Sequence, residues 1–141
     1  MNRALVLAEW KRAKQALRAA EALVTEDCHE DAVSRSYYAI LHAAKAALYV
    51  HDETAASHAA VKRLFGLHLI KSGILEPVWS GYLVESLDDR LAADYDAEVF
   101  FSRAETDLEC RRSAEFLVRI ARYLGTKGFS DHELSEDIPH A

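Results

Sequence analysis

From Arg3 to Val24 the apolar residues Val6, Trp10, Ala13, Leu17, Ala20 and Val24 recur at alternating intervals of four and three. That spacing keeps side chains on one face of an α-helix, and such a stripe has to be buried against other helices. Only five glycines and two prolines punctuate the 141 residues, half of which are hydrophobic. Few breakers and much alanine and leucine favour helices throughout. The length suits one domain, with enough chain to bury a core without disulfides or a structural metal.

The pattern repeats along the chain. The cluster Thr25-Glu26-Asp27 interrupts the first helix and is expected to cap a second, about Cys28 to Val50, with an inner stripe of Val33, Tyr37, Ile40, Leu41, Ala44 and Leu48. Ser57 can cap a third helix that turns Val61, Leu64 and Phe65 inward and stops near Gly73. A fourth opens at Pro77 and runs to about Leu91, an irregular stretch covers Ala92 to Glu98, and a fifth spans about Val99 to Leu124. The fifth is expected to bury Cys110, Ala114, Leu117, Ala121 and Leu124. Connections this short favour antiparallel neighbours, so the expected fold is all-α, an up-and-down helical bundle of about five helices over residues 1–125. Residues 126–141 read as an acidic, flexible C-terminal tail, since Ser130 to Ala141 carries four carboxylates and no Lys or Arg.

Composition excludes several classes of function. No apolar run approaches the roughly 18 residues of a membrane span, and no signal segment is recognisable, so a cytoplasmic protein is expected. Cys28 and Cys110 then read as reduced packing residues. A net charge of −6 argues against indiscriminate binding to a nucleic-acid backbone, so any such site has to be local. Lys11, Lys14 and Arg18 share one side of the first helix and read as a solvated face, with phosphate contact as the alternative. The seven histidines contain no His-x-x-x-His pair, and there is no Cys-x-x-Cys, so neither a metal nor a cofactor is expected.

The second helix carries more than a core stripe. Residues seven apart stand two turns apart on nearly the same line of a helix, and Arg35 and His42 are such a pair. Tyr38, Ala39, Ala46 and Tyr49 share their side. Small alanines, hydroxyl-bearing rings and two strongly functional groups suggest a surface that meets another helix, and a two-fold axis between two copies would gather both pairs into one cleft. Imidazole can move a proton to or from a ribose hydroxyl, and guanidinium can hold a phosphate bidentately. Together they suffice for metal-independent cleavage of RNA, although the bare spacing also arises from structural pairing.

The wording around the pair is more specific. Ser34-Arg35-Ser36-Tyr37-Tyr38-Ala39-Ile40-Leu41-His42-Ala43-Ala44-Lys45-Ala46-Ala47-Leu48 resembles the signature helix of small HEPN-domain proteins, in which an Arg, a polar residue and a His four to six residues on form the active motif. Ser57-His58-Ala59-Ala60-Val61 with Phe65 resembles the family's third helix, and Arg90-Leu91-Ala92-Ala93-Asp94-Tyr95 resembles its Arg and Ala-Asp-Tyr segment. The resemblance implies a helical bundle that dimerises through the motif helix, in many members a metal-independent ribonuclease toxin whose partner is a minimal nucleotidyltransferase encoded nearby. By position, Arg35 would polarise the scissile phosphate, His42 would act as acid or base at the ribose 2′-hydroxyl, and Ser36 would be the polar companion. Some toxins of the family carry, two residues after the His, a Tyr that the transferase modifies with AMP; here that residue is Ala44.

Tyr38, Tyr49 and His58 are supporting or substrate-binding candidates, with a capping or packing role as the plain alternative for His58. Arg90 and Asp94 read as a structural ion pair, with Tyr95 anchoring the turn. Two functions follow: an endoribonuclease toxin acting on RNA as a homodimer, or a non-catalytic nucleotide-binding or antitoxin subunit of a nucleotidyltransferase.

Overall fold

The computed structural model describes residues 1–135, and these form α1 (Arg3–Thr25), α2 (His29–Val50), α3 (His58–Phe65), α4 (Val78–Tyr95), α5 (Arg103–Thr126) and the short α6 (Asp131–Ser135), with no strand among them. Five residues of wider, π-type winding, Gly66–Ile70, continue α3 before the chain turns at Gly73, whose φ of 82° suits glycine.

The caps explain several boundaries. The Asn2 and Ser57 side chains accept the backbone N–H of Leu5 and Ala60, fixing the starts of α1 and α3. Ser102 and Glu105 form a reciprocal capping box, so α5 begins at Arg103, four residues later than the apolar pattern suggested. No side chain of Thr25-Glu26-Asp27 caps α2; its N-cap is Cys28, and Asp27 instead makes the reversal with a φ of 58°. The segment read as irregular from Ala92 stays helical to Tyr95.

Cross-helix pairs give the topology. Glu9 meets His42, so α1 and α2 run antiparallel; Glu76 meets Arg119 and Glu85 meets Arg112, so α4 and α5 do as well. Ser36 approaches Cys110 while His51 approaches Tyr123, so α2 and α5 are parallel. The long helices therefore alternate up and down. Within that arrangement α2 touches α1, α3, α4 and α5, whereas α1 and α4 scarcely meet. Small residues make the α2–α5 diagonal the short one: Ser36, Ala43, Ala47 and Ser113 are fully buried, and the Ser113 hydroxyl donates to the Ser36 carbonyl at 2.9 Å. Phe65, Phe116 and Trp79 close the core between α3, α4 and α5, with ring centroids 5.7 and 6.1 Å from Phe116.

Two expectations need correction. The inner face of α5 is Thr106, Glu109, Ser113, Phe116, Leu117, Ile120, Tyr123 and Leu124; Cys110, Ala114 and Ala121 flank it half-buried, because polar residues occupy its N-terminal half. Part of the expected tail is also built into the fold. Phe129 and Leu134 are buried, Trp10 Nε1 donates to the Leu134 carbonyl at 2.7 Å, and Arg3 pairs with Glu133 at 2.8 Å while lying over the Phe129 ring. Residues 136–141 of that tail lie outside the described residues.

Glu109 is the odd member of this core. It is 4% exposed, Arg112 reaches only its Oε1, at 3.5 Å, and no donor among the described residues reaches Oε2. Burial first, then the neighbouring Asp89, push its carboxyl up to about 8, so it is held as the acid that can donate to Asp89. Its folded-state value lies above the unfolded one, so its contribution to stability is complete below about 4.5 and is lost as pH rises toward 8. Glu109→Gln, which cannot ionise, is expected to flatten that decline and to be more stable than the wild type at pH 8. Thermal unfolding of both proteins at pH 5 and pH 8 measures it; parallel pH profiles would refute the assignment.

Candidate functional site

A groove joins three of the residues singled out on α2. It runs between α1 and α2, has a volume of about 560 Å³, and is lined by Arg12, Gln15, Ala16 and Ala19 of α1 and by Arg35, Tyr38 and His42 of α2. Residues at i, i+3 and i+7 stack along one helix edge, which is how the last three come to share a wall.

Their neighbours fix each side chain differently. The Arg35 guanidinium carbon lies 5.3 Å from the Tyr38 ring centre, and the residue is exposed. No carboxylate pairs with Arg35 or Arg12 among the described residues, so both cations face the groove with free donors. Arg90 of α4 reaches Tyr38 from behind, donating to its hydroxyl at 2.8 Å, and pairs with Asp94 at 2.9 Å. Arg90 is thus the brace of a groove-lining ring. Tyr95, expected to anchor the turn, is instead 75% exposed, with Arg90 5.7 Å from its ring.

His42 is the most tightly held. Its Nδ1 lies 2.6 Å from Glu9 Oε2, and Lys45 holds the other oxygen of Glu9 at 3.3 Å. Burial pushes the Glu9 carboxyl up, but the His42 hydrogen bond and the charge of Lys45 outweigh it and leave the group below its ordinary value. An ionised carboxylate only accepts, so the His42 Nδ1 carries the proton in that bond. The ring lines the groove with Nε2 not engaged by Glu9, an arrangement in which a carboxylate selects the tautomer and orientation of an imidazole. Glu9, Arg12 and Gln15 carried no signal in the sequence beyond their place on a helix. Their role appears only when the antiparallel pairing sets α1 beside α2.

The other candidates are placed elsewhere. Ser36 is fully buried on the α5 side, 3.4 Å from Cys110 Sγ, and so cannot touch a ligand in the groove; its role is helix packing. Tyr49 packs partly buried against the core and lines neither this groove nor the one beside it. Ala39 and Ala46 are fully buried within the chain, so the small-residue face serves intramolecular packing rather than a free surface. His58 lines a second, smaller groove that shares Tyr38 and His42 with the first. No group of three or more potential metal ligands occurs among the described residues, and no helix is long and apolar enough to cross a membrane.

A helical bundle whose second helix presents Arg35 and His42 on one groove defines a class, and comparison names it. The model of the HEPN domain matches residues 7–126, and the chain belongs to the HEPN domain family. Among curated relatives, Methanocaldococcus jannaschii has two proteins named "Putative toxin". One is 36% identical over 61% of this chain and 64% of its own length. The other is 29% identical over 83% of this chain and 80% of its own length. A protein of Pyrococcus horikoshii named as a UPF0332 protein is 38% identical over 57% of this chain and 56% of its own length. The match therefore spans just under two thirds of the first of these relatives.

Proposed function

We propose that the chain is a toxin-like HEPN endoribonuclease that cleaves RNA without a metal, using Arg35 and His42. The observation that carries this reading is the groove in which a guanidinium with no carboxylate partner among the described residues and an imidazole of set tautomer share one wall. The names of the M. jannaschii relatives support the toxin side of it.

In the proposed reaction His42 Nε2 takes the proton of a ribose 2′-hydroxyl, whose oxygen attacks the adjacent phosphorus as the bond to the 5′-oxygen breaks. The products are a 2′,3′-cyclic phosphate and a 5′-hydroxyl, the leaving oxygen taking its proton from an acid that a second copy of His42 or water can supply. Arg35 holds the phosphate oxygens and offsets the charge that builds on them. Two copies meeting over the groove would bring both histidines to one phosphate; since Ala39 and Ala46 are already buried, such contact has to use the rim around Arg35, Gln15 and Ala19. Light scattering showing a monomer at micromolar concentration would remove the shared cleft.

The direct test is incubation of single-stranded RNA with the purified protein in EDTA, with the product ends characterised. Cleavage with cyclic phosphate ends supports the reading. A folded protein without activity favours the non-catalytic alternative, a nucleotide-binding or antitoxin subunit of a minimal nucleotidyltransferase. Growth inhibition on expression alone, relieved by a co-expressed transferase, is expected of the toxin. Modification two residues after His42 is not expected, because Ala44 has no hydroxyl and is fully buried.

Glu9→Gln gives a finer check. Glutamine keeps the shape but offers a donor as well as an acceptor, so it no longer dictates the His42 tautomer. Single-turnover cleavage is expected to fall by about tenfold or more, part of the 10²–10⁴ that a positioned acid or base supplies, with RNA affinity unchanged. Equal loss of affinity and rate would mean that Glu9 only holds the fold.

A further inference from the structure

Tyr38 and His42 form a ridge with a groove on each side. The second groove has a volume of about 260 Å³ and lies between α2 and the loop that enters α3. Its floor is apolar, built from Leu41, Ala55 and Val61, which are all buried, and its rim carries Lys45 and His58. The volume falls just below the roughly 300–1,000 Å³ of pockets for whole drug-sized ligands, on the scale of a single planar ring system.

His58 gives this groove a defined polarity. Tyr37 is 1% exposed, and its hydroxyl lies 2.5 Å from His58 Nδ1, its one hydrogen-bond partner among the described residues. Burial pushes the Tyr37 phenol up to about 12, and burial, aided by Arg90 and Lys45, holds the His58 imidazole below its ordinary value. Both are neutral near pH 7. If Nδ1 were the donor, the buried Tyr37 hydroxyl hydrogen would be left without an acceptor, so Tyr37 donates and Nδ1 accepts. The single proton of the neutral ring is then on Nε2, the nitrogen not engaged by Tyr37, in a ring that lines the groove.

The groove therefore combines an apolar floor, one fixed N–H donor and a cation at its rim, and it opens on the imidazole of His42. Building on the ribonuclease reading, we propose that it seats the nucleobase beside the scissile phosphate, with His58 Nε2–H donating to an acceptor on the base edge. A single strand crossing the ridge would lay its backbone along Arg12 and Arg35 in the first groove, where contacts carry no sequence information, and turn one base into the second, where they do. Lys45 has three donors, so pairing with Glu9 leaves it able to meet a phosphate as well.

The test uses fluorescent 2′-O-methyl oligonucleotides of a single base type, which cannot be cleaved through the 2′-oxygen, and reads binding to the full chain in EDTA. The wild type is expected to rank the four bases. Ala56→Trp, at an exposed position on the groove wall, is expected to weaken the preferred oligonucleotide by about tenfold or more, the scale of one lost base contact, and to level the ranking. His58→Phe keeps the ring and removes the donor, so it levels the ranking with a smaller loss. Arg35→Ala weakens all four alike. Equal binding of all four bases by the wild type, or an Ala56→Trp protein of unchanged thermal midpoint that ranks them as the wild type does, overturns the base subsite while cleavage of ordinary RNA stands. Ranked binding that Ala56→Trp levels, in a protein that never cleaves RNA, supports the subsite and counts against the ribonuclease reading.

Discussion

His42→Ala is expected to lower RNA cleavage in EDTA by about 10²–10⁴-fold, the range a positioned general acid or base contributes. Arg35→Ala is expected to cost about 10²–10³-fold, as loss of one preorganised group facing developing charge does, and Arg35→Lys to recover little, because an ammonium cannot reproduce a bidentate fork. Both proteins should fold. Arg35 is exposed and, among the described residues, its guanidinium meets only the Tyr38 ring, and without His42 the Glu9 carboxylate still has Lys45. Thermal unfolding beside the cleavage assay separates chemistry from stability. Activity surviving in folded His42→Ala would place the reaction elsewhere on the molecule.

Phe116→Ala is expected to destabilise the protein by about 3–5 kcal/mol, the usual cost of truncating a fully buried phenylalanine. The ring is inaccessible and lies between Phe65 and Trp79, so the cavity would open where α3, α4 and α5 meet. Against a total stability of about 5–15 kcal/mol for a domain this size, that leaves a marginal protein. Val118→Ala, two residues along the same helix and 68% exposed, should change stability by no more than about 0.5 kcal/mol. Urea unfolding of the two variants measures the contrast, and comparable midpoints would mean that the inner face of α5 is misassigned.

That inner face also shows where reading a sequence by hydrophobicity succeeds and where it fails. On α2 the stripe Val33, Tyr37, Ile40, Leu41, Ala44 and Leu48 is buried in full, and the polar residues buried beside it, Ser34 and Ser36, are small enough not to displace it. On α5 the buried positions include Thr106, Glu109 and Ser113, which hydrophobicity assigns to solvent in favour of Cys110 and Ala114. The small residues of α2 misled in another way. Ala39 and Ala46 suggest a face for a second chain, but close approach between helices of one chain needs the same residues. That Arg35 and His42 share one edge of α2 is legible because seven residues make two helical turns. Glu9 is not, because a lone carboxylate on a helix has meaning only once its neighbour in space, thirty-three residues away, is known.

The helix that bears Arg35 and His42 is also the one enclosed by α1, α3, α4 and α5. Its amide hydrogens should therefore exchange with solvent only through global opening, among the slowest in the molecule. Such a site has no loosened form of its own: it exists whole or not at all. An antagonist would then have little to gain by bending the backbone beneath the pair and would have to silence it by roofing the groove, so that inhibition becomes a contest between two occupants for one place.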